Sequence, residues 1–308
     1  MDEIIKTDKL SKSYRDVNAV DGVSLNVKKG EIYGFLGLNG AGKTTTIRML
    51  LGMIRPTSGT SYLLGKKVDA GNHKIWENVG YLVETPYAYP ELTVRDNLEI
   101  FRRLHNISDE SSVDTVIDKL QLTIYQNRKS KNLSLVNAQR LGLAKAMLHN
   151  PKILILDEPI NGLDPAGIVE IRKLLQDLSI NKGVTVFISS HILGELAKLV
   201  NRIGIIHQGK LIQEVNANKL DQLLHKRLIV NAHNIEAVHK KLVEVGYCVG
   251  FTKDGNLELS EEKALKRPEE IANMLVRWGF PPSLLKIDVE DLESYFLRKI
   301  GMKGVKGI

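Results

Sequence analysis

The 308-residue chain has a single cysteine, Cys248, so no internal disulfide can form and a reducing cytosol fits it. It has no apolar run near the roughly 18–20 residues needed to span a bilayer, so any membrane link is expected to pass through a partner. The N-terminus, Met1-Asp2-Glu3, is acidic and lacks the basic-then-apolar pattern of an export signal. Tandem repeats are missing, and the only biased stretch is a glycine- and lysine-containing tail over residues 301–308. Neither sign of charge dominates. The 43 Lys+Arg against 36 Asp+Glu leave +7, which suits phosphates, nucleic acid or an anionic surface without selecting among them. What is present, 43% hydrophobic and 26% charged residues, is ordinary for a folded globular protein and excludes disordered, collagen-like and disulfide-stapled chains. The length allows one large domain or two ordinary ones.

Apolar residues alternate at Val23, Leu25 and Val27, the pattern of a half-buried strand. Residues 31–37 then read as a buried central strand, followed by a glycine-rich turn and a helix over residues 44–52. The period changes over residues 94–122, where Leu98, Phe101 and Leu104, then Val113, Val116, Ile117 and Leu120, recur at helical spacing. A helical insert over about residues 88–150 is expected. Strand patterns return at residues 153–156, 184–188 and 203–206, with a helix between the first two, so a parallel sheet with crossover helices is expected. A second domain is expected over residues 222–308. Strands at 227–232, 247–252, 257–260 and 284–287 and helices at 235–245, 268–278 and 289–300 give it a ferredoxin-like β-α-β-β-α-β outline.

Three segments carry chemistry. Gly37-Leu38-Asn39-Gly40-Ala41-Gly42-Lys43-Thr44 is a complete GxxxxGK[ST] loop between a buried strand and a helix. Its backbone N–H groups and the helix N-terminus are expected to cradle phosphates, with Lys43 on the β- and γ-phosphates, the Thr44 hydroxyl on Mg²⁺ and Thr45 adjoining. Ile153-Leu154-Ile155-Leu156-Asp157-Glu158-Pro159 is an apolar strand ending in two carboxylates. Strand ends of a parallel sheet line the ligand crevice, so Asp157 is expected to hold Mg²⁺ and Glu158 to orient or deprotonate an attacking water. The third segment, residues 184–190, ends at His191, whose imidazole could bond a γ-phosphate or serve structure alone.

In this order the motifs resemble the ATP-binding subunit of ATP-binding-cassette (ABC) transporters, over roughly residues 4–215. The resemblance implies a P-loop α/β cassette, with a mixed sheet core and a helical insert over residues 1–221, beside a small α+β domain. It further implies an adenine-stacking role for Tyr14, a dimer-contacting loop at Asn161-Gly162-Leu163-Asp164-Pro165, and a switch role for His191. The family's signature, Leu-Ser-Gly-Gly-Gln, is represented by Leu133-Ser134-Leu135-Val136-Asn137: Ser134 is expected to touch the γ-phosphate held by the other subunit, but both glycines are replaced. At Glu84 the family usually carries glutamine, and a carboxylate there can still approach Mg²⁺ or be only a solvated loop charge. A glutamate at this position, the loop with its following Thr45-Thr46-Ile47-Arg48, and the tail Asp291-Leu292-Glu293-Ser294-Tyr295-Phe296 are similar to the subgroup that expels bacitracin and lantibiotics.

The resemblance implies an ATPase using ATP and Mg²⁺ at the cytoplasmic face of the membrane, with a permease subunit and a second ATPase subunit as partners. Tyr87 and Tyr89 border the segment where a permease helix would sit, or pack the insert onto the core. The alternative is a cytosolic ABC regulator, although the chain has neither two fused cassettes nor a long coiled coil. Arg128-Lys129-Ser130-Lys131 is too short a basic run to indicate nucleic acid, which is not expected as a partner. A signalling GTPase is set aside because the Asn-Lys-x-Asp guanine-reading segment is missing.

Overall fold

The computed structural model describes residues 3–69, 71–84 and 87–302. They form two compact units, one ending at Lys219 and one starting at Leu220. Unit 1 runs β1 (Glu3–Tyr14), β2 (Val17–Lys28), β3 (Ile32–Leu36), α1 (Lys43–Leu50), β4 (Ser58–Leu63), β5 (Lys66–Lys67) and β6 (Val79–Leu82). Three helices follow, α2 (Val94–Leu104), α3 (Ser111–Lys119) and α4 (Leu135–Met147). The unit closes with β7 (Ile153–Leu156), α5 (Pro165–Lys182), β8 (Thr185–Ser190), α6 (Leu193–Ala197), β9 (Arg202–His207) and β10 (Lys210–Asn216).

The central sheet has the order β10-β9-β3-β8-β7-β6, parallel from β9 to β6 and antiparallel only at β10. Strands β3, β7 and β8 are buried at every position, which accounts for their unbroken apolar reading. Tyr33 stacks on Phe187 at 5.5 Å, joining β3 to β8. A second sheet, β2-β1-β4-β5, is antiparallel throughout and shares a core with the first through Leu10, Val23, Phe35 and Ile206.

The insert helices start where their caps dictate. Thr93 and Asp96 form a reciprocal capping box at α2, and Ser134 accepts from the Asn137 N–H at α4. Asp164 caps α5, Pro165 opens it, and Gly183 at φ +64° ends it. The helix expected over residues 44–52 begins one residue earlier and ends at Leu50.

Unit 2 runs α7 (Leu220–Leu223), β11 (Lys226–Ala232), α8 (Ile235–Glu244), β12 (Val249–Phe251) and β13 (Leu257–Leu259). It ends with α9 (Glu262–Lys266), α10 (Pro268–Arg277), β14 (Pro282–Val289) and α11 (Leu292–Lys299). Its sheet order, β12-β13-β11-β14, is antiparallel at every pairing and matches the ferredoxin-like outline. Leu228, Val230, Leu257 and Leu259 bury one face of the sheet together with Val238, Leu242, Ile271 and Leu275. Boundaries shift by up to three residues, most at the last helix: Val289 ends β14 rather than starting that helix. Asp291 caps α11 by accepting from the Ser294 N–H at 2.7 Å, and Arg298 pairs with Glu290 just ahead of it.

Helix α4 meets β6 backbone to backbone. A Cβ at Gly80 would lie 1.9 Å from the Ala146 carbonyl oxygen, closer than any repacking of side chains can relieve. Gly80→Ala is therefore expected to destabilise unit 1 by about 3 kcal/mol or more, read as a loss in chemical denaturation against the native chain.

Candidate active site

The parallel order places three strand ends side by side. Leu36 of β3 pairs with Ser190 of β8, and Leu156 of β7 pairs with Ile188 of β8. The loop after β3, the carboxylates after β7 and His191 after β8 thus emerge at one edge of the sheet. Gly37 cannot be larger, because a Cβ there would meet the Ile206 carbonyl oxygen at 2.7 Å. Gly42 combines φ +106° with a Cβ position 2.4 Å from the Ala19 carbonyl oxygen. Gly42 is also the N-cap of α1, and no side chain caps that helix, so its first N–H groups are left for a ligand. A cleft of about 520 Å³ opens beside them, lined by Asn39, Gly40, Gly42, Lys43, Thr44 and Thr45 among others.

Within this edge the side chains form a connected set. Thr44 Oγ1 donates to Asp157 Oδ2 at 2.7 Å, and Ser189 Oγ donates to Asp157 Oδ1 at 2.5 Å. The same Ser189 hydroxyl accepts from the Glu158 N–H at 2.9 Å. Lys43 Nζ donates to the carbonyls of Gly37 and Leu38 and lies 3.1 Å from Glu158 Oε1, an ion contact without hydrogen-bond alignment. His191 Nδ1 is 2.9 Å from Glu158 Oε2. Glu158 itself holds φ +49°, a left-handed backbone that a non-glycine residue adopts only under constraint.

Other expected residues lie elsewhere. Tyr14 is 46% exposed at the β1–β2 turn, close in sequence to Val17 of the cleft lining, with Lys12 Nζ 5.0 Å from its ring centre. It is no core tyrosine. Ser134 is spent on capping its own helix, and among the described residues no contact joins it to residues 37–44. Leu135 sits against Gly162, where a Cβ would be 2.5 Å from its Cδ2. Glu84 takes φ +59° and its exposed carboxylate pairs with Arg48 of α1, not with Thr44 or Asp157. Leu38 and Ala41 shape the loop by closing a turn, with Ala41 N–H donating to Leu38 O. Ser189 is the site residue that sequence reasoning missed: it is fully buried and joins both carboxylate residues.

The ABC transporter family profile matches residues 20–161 of this chain. Along almost the full length, the bacitracin transport ATP-binding protein BcrA of Bacillus licheniformis is 38% identical, covering 98% of each chain. The chain belongs to the ABC transporter family. Lantibiotic transport ATP-binding protein SrtF of Streptococcus pyogenes is 35% identical over 73% of this chain and 98% of its own. Among solved structures, the ABC fold of this chain resembles a dimeric ATP-binding cassette in a post-hydrolysis state bound to ADP and Pi. That match has a TM-score of 0.65 at 24% identity, covering 70% of this chain and 99% of the other. It also resembles cbiO1 of Clostridium perfringens, part of an ABC transporter complex, with a TM-score of 0.64 at 25% identity, covering 80% and 96%. As an ABC subunit it is an ATPase by family. No helix of its described residues is long and apolar enough to cross a membrane.

Beside the site, the ABC cassette keeps a smaller cavity of about 250 Å³ between β6 and the insert, lined by Tyr81, Tyr87, Phe101, His105, Lys145 and His149 among others. Tyr87 and Tyr89 meet edge to face at 5.7 Å, and Tyr87 is 71% exposed. Lys145 donates to the Tyr87 carbonyl at 2.6 Å and lies over the Phe101 ring, and burial lowers its ammonium to about 8. His105 stacks on His149 at 4.2 Å. Burial, helped by His105, lowers His149 to about 4, against a bond to the Val79 carbonyl that opposes the shift.

Two outcomes follow for this region. Ser189→Ala strands a buried Asp157 oxygen and the Glu158 N–H, which is expected to lower stability by about 1–3 kcal/mol in denaturant titration. A base whose folded value lies below its unfolded one stabilises the fold above pH 6.5 and loses that contribution as pH falls towards 4. The melting temperature of the native chain is therefore expected to drop across that window by roughly 2–4 °C more than that of His149→Gln, followed by calorimetry.

Proposed function

We propose that this chain is the ATP-hydrolysing subunit of an ABC exporter that expels a peptide antibiotic of the bacitracin or lantibiotic kind through a separate membrane subunit. One observation carries the hydrolytic part: Glu158 stands between Lys43 and His191 at the mouth of the loop, with Oε1 buried and without a hydrogen-bond donor. Once Lys43 turns from it to the phosphates, that oxygen is the atom available to accept a proton from water, while His191 Nδ1 fixes the other oxygen and so the orientation of the carboxylate. Lys43 and the free N–H groups at the start of α1 bind the phosphates, whose negative charge they are placed to neutralise.

For the metal, Thr44 Oγ1 and Asp157 offer two oxygens in contact, and among the described residues no group of three His, Cys, Asp or Glu side chains forms a cage. That donor set fits Mg²⁺, which keeps waters and substrate phosphates in its shell rather than a full set of protein ligands. When bound there, Mg²⁺ supplies charge neutralisation at the phosphate oxygens. Glu84 joins it only after giving up Arg48, so it serves the metal in a rearranged loop. Tyr14 supplies the exposed ring for adenine, and Ser134 with the Val136 N–H serves the phosphate of a second ATPase subunit. These subunits work at the cytoplasmic face of the membrane, held there by the permease. The near-full-length likeness to a bacitracin transport protein, unit 2 included, supports the cargo class.

Glu158→Gln keeps the shape of the side chain and removes the base. It is expected to retain ATP while turnover falls about 100-fold or more, followed by nucleotide retention and phosphate release. Val136→Gly restores the smaller residue of the family signature and is expected to raise turnover. Cells expressing the chain with its permease should survive bacitracin or a lantibiotic, and Lys43→Ala should abolish that protection. Survival that is indifferent to Lys43→Ala would refute the cargo assignment, and full turnover in Glu158→Gln would refute the base.

A further inference from the structure

Strand β14 is an edge of the unit 2 sheet, its outer side unpaired among the described residues. It is eight residues long and, among the described residues, pairs only with β11 in the order β12-β13-β11-β14. Its hydrogen-bonding phase is fixed by one bond, from the Glu290 N–H to the His225 carbonyl at 2.7 Å, in line with the register Lys226↔Val289 to Asn231↔Leu284. Glu290 faces β11, so Asp288 and Lys286 turn their backbone groups the same way. Leu285, Ile287 and Val289 then turn theirs outward. Ile287 is 44% and Val289 46% exposed. Natural edges of this length are usually blunted by bulges, prolines or a cover. Here Pro282 stands at the first position and the only register shift lies beside it, so residues 284–289 are regular.

We propose that β14 pairs with β14 of a second copy of this chain, antiparallel about a two-fold axis at Ile287, joining the two unit 2 sheets into one. The sequence of the strand is self-complementary in that register. Leu285 falls opposite Val289 of the second copy and Ile287 opposite Ile287, outward-turned groups meeting outward-turned groups, while Lys286 falls opposite Asp288 at the non-hydrogen-bonded positions between them. Moving the axis to residue 286 sets Lys286 against Lys286, and moving it to residue 288 sets Asp288 against Asp288. Charge therefore selects one register of the three. Lys286 and Asp288 already lie 3.6 Å apart on one face of the strand, with Asp288 also held by Arg227, so these charges flank the backbone edge without blocking it. A pairing this short is weak and forms at high chain concentration, the condition used in the test below. The contact uses unit 2 alone and needs no nucleotide, so it stands apart from the hydrolytic reading.

The full chain carrying Cys248→Ser and Ile287→Cys, free of nucleotide and in EDTA, is oxidised mildly and run on a non-reducing gel. Residues opposed at a hydrogen-bonded position lie about 5.5 Å apart, within disulfide reach, so a linked dimer is expected. Phe251→Cys, on the opposite sheet edge and 52% exposed, is expected to give at least fivefold less. Adding Lys286→Glu to the Ile287→Cys chain faces acid with acid and is expected to cut the yield several-fold. Absence of the Ile287→Cys dimer, or equal linking through Phe251→Cys, overturns the proposal. Sedimentation of the native chain at rising concentration gives a second reading. Self-association that Ile287→Lys removes and Phe251→Lys leaves supports the pairing, and a native chain that stays monomeric, or associates equally in Ile287→Lys, overturns it.

Discussion

The buried carboxylate of Asp157 is the constraint on which the site depends. It is 3% exposed and held by two hydroxyls, one from the start of α1 and one from the end of β8. A carboxyl group buried so deeply is tolerable only with hydrogen-bond partners on both oxygens. Meeting that requirement ties the phosphate loop, β7 and β8 to one another. Ser189 then accepts from the next residue's N–H, which holds Glu158 in its left-handed conformation and aims its side chain between Lys43 and His191. The placement of Glu158 thus follows from satisfying one buried polar group.

The chemistry-bearing residues were legible because each stands at the end of an unbroken apolar strand, and a parallel sheet brings such ends together. Ser189 was not, because its role comes from strand order. β8 is inserted between β7 and β3, although it follows β7 by a long helix in the chain, so a residue one step short of the strand end faces both neighbours. β1 escaped for a different reason. Register shifts at Thr7/Leu10 and Leu10/Lys12, with Lys9 at φ +45°, break its alternation of buried and exposed positions, and Lys6, Lys9 and Lys12 mask the rest. The misplaced end of β14 was avoidable in principle: Asp291-Leu292-Glu293-Ser294 is a cap signal, and it marks the helix start after Val289. The pairing of Glu84 with Arg48 had no signal, since it depends on a turn of chain with positive φ.

The departures at the signature have a local logic. Replacing a glycine by Leu135 needs room, and the room is Gly162, whose missing side chain leaves the space that Leu135 Cδ2 fills. The start of α4 thereby packs on the loop after the carboxylates, and Gln139 Nε2 adds a bond to the Pro159 carbonyl at 3.0 Å. Insert and core are joined more firmly at this point than two glycines would allow. The same change adds apolar bulk next to Ser134, the residue expected to serve a second subunit's phosphate.

In a dimer of identical chains there is one two-fold axis, and every self-complementary contact must lie on it or be repeated about it. Under the proposed function, Ser134, which among the described residues caps its own helix and does not touch residues 37–44, serves a second subunit across such an axis. A β14 edge whose charges and apolar residues match only their own reversed sequence asks for an axis of the same kind. In a dimer that holds both contacts, either one raises the effective concentration of the other, so each can be weak by itself.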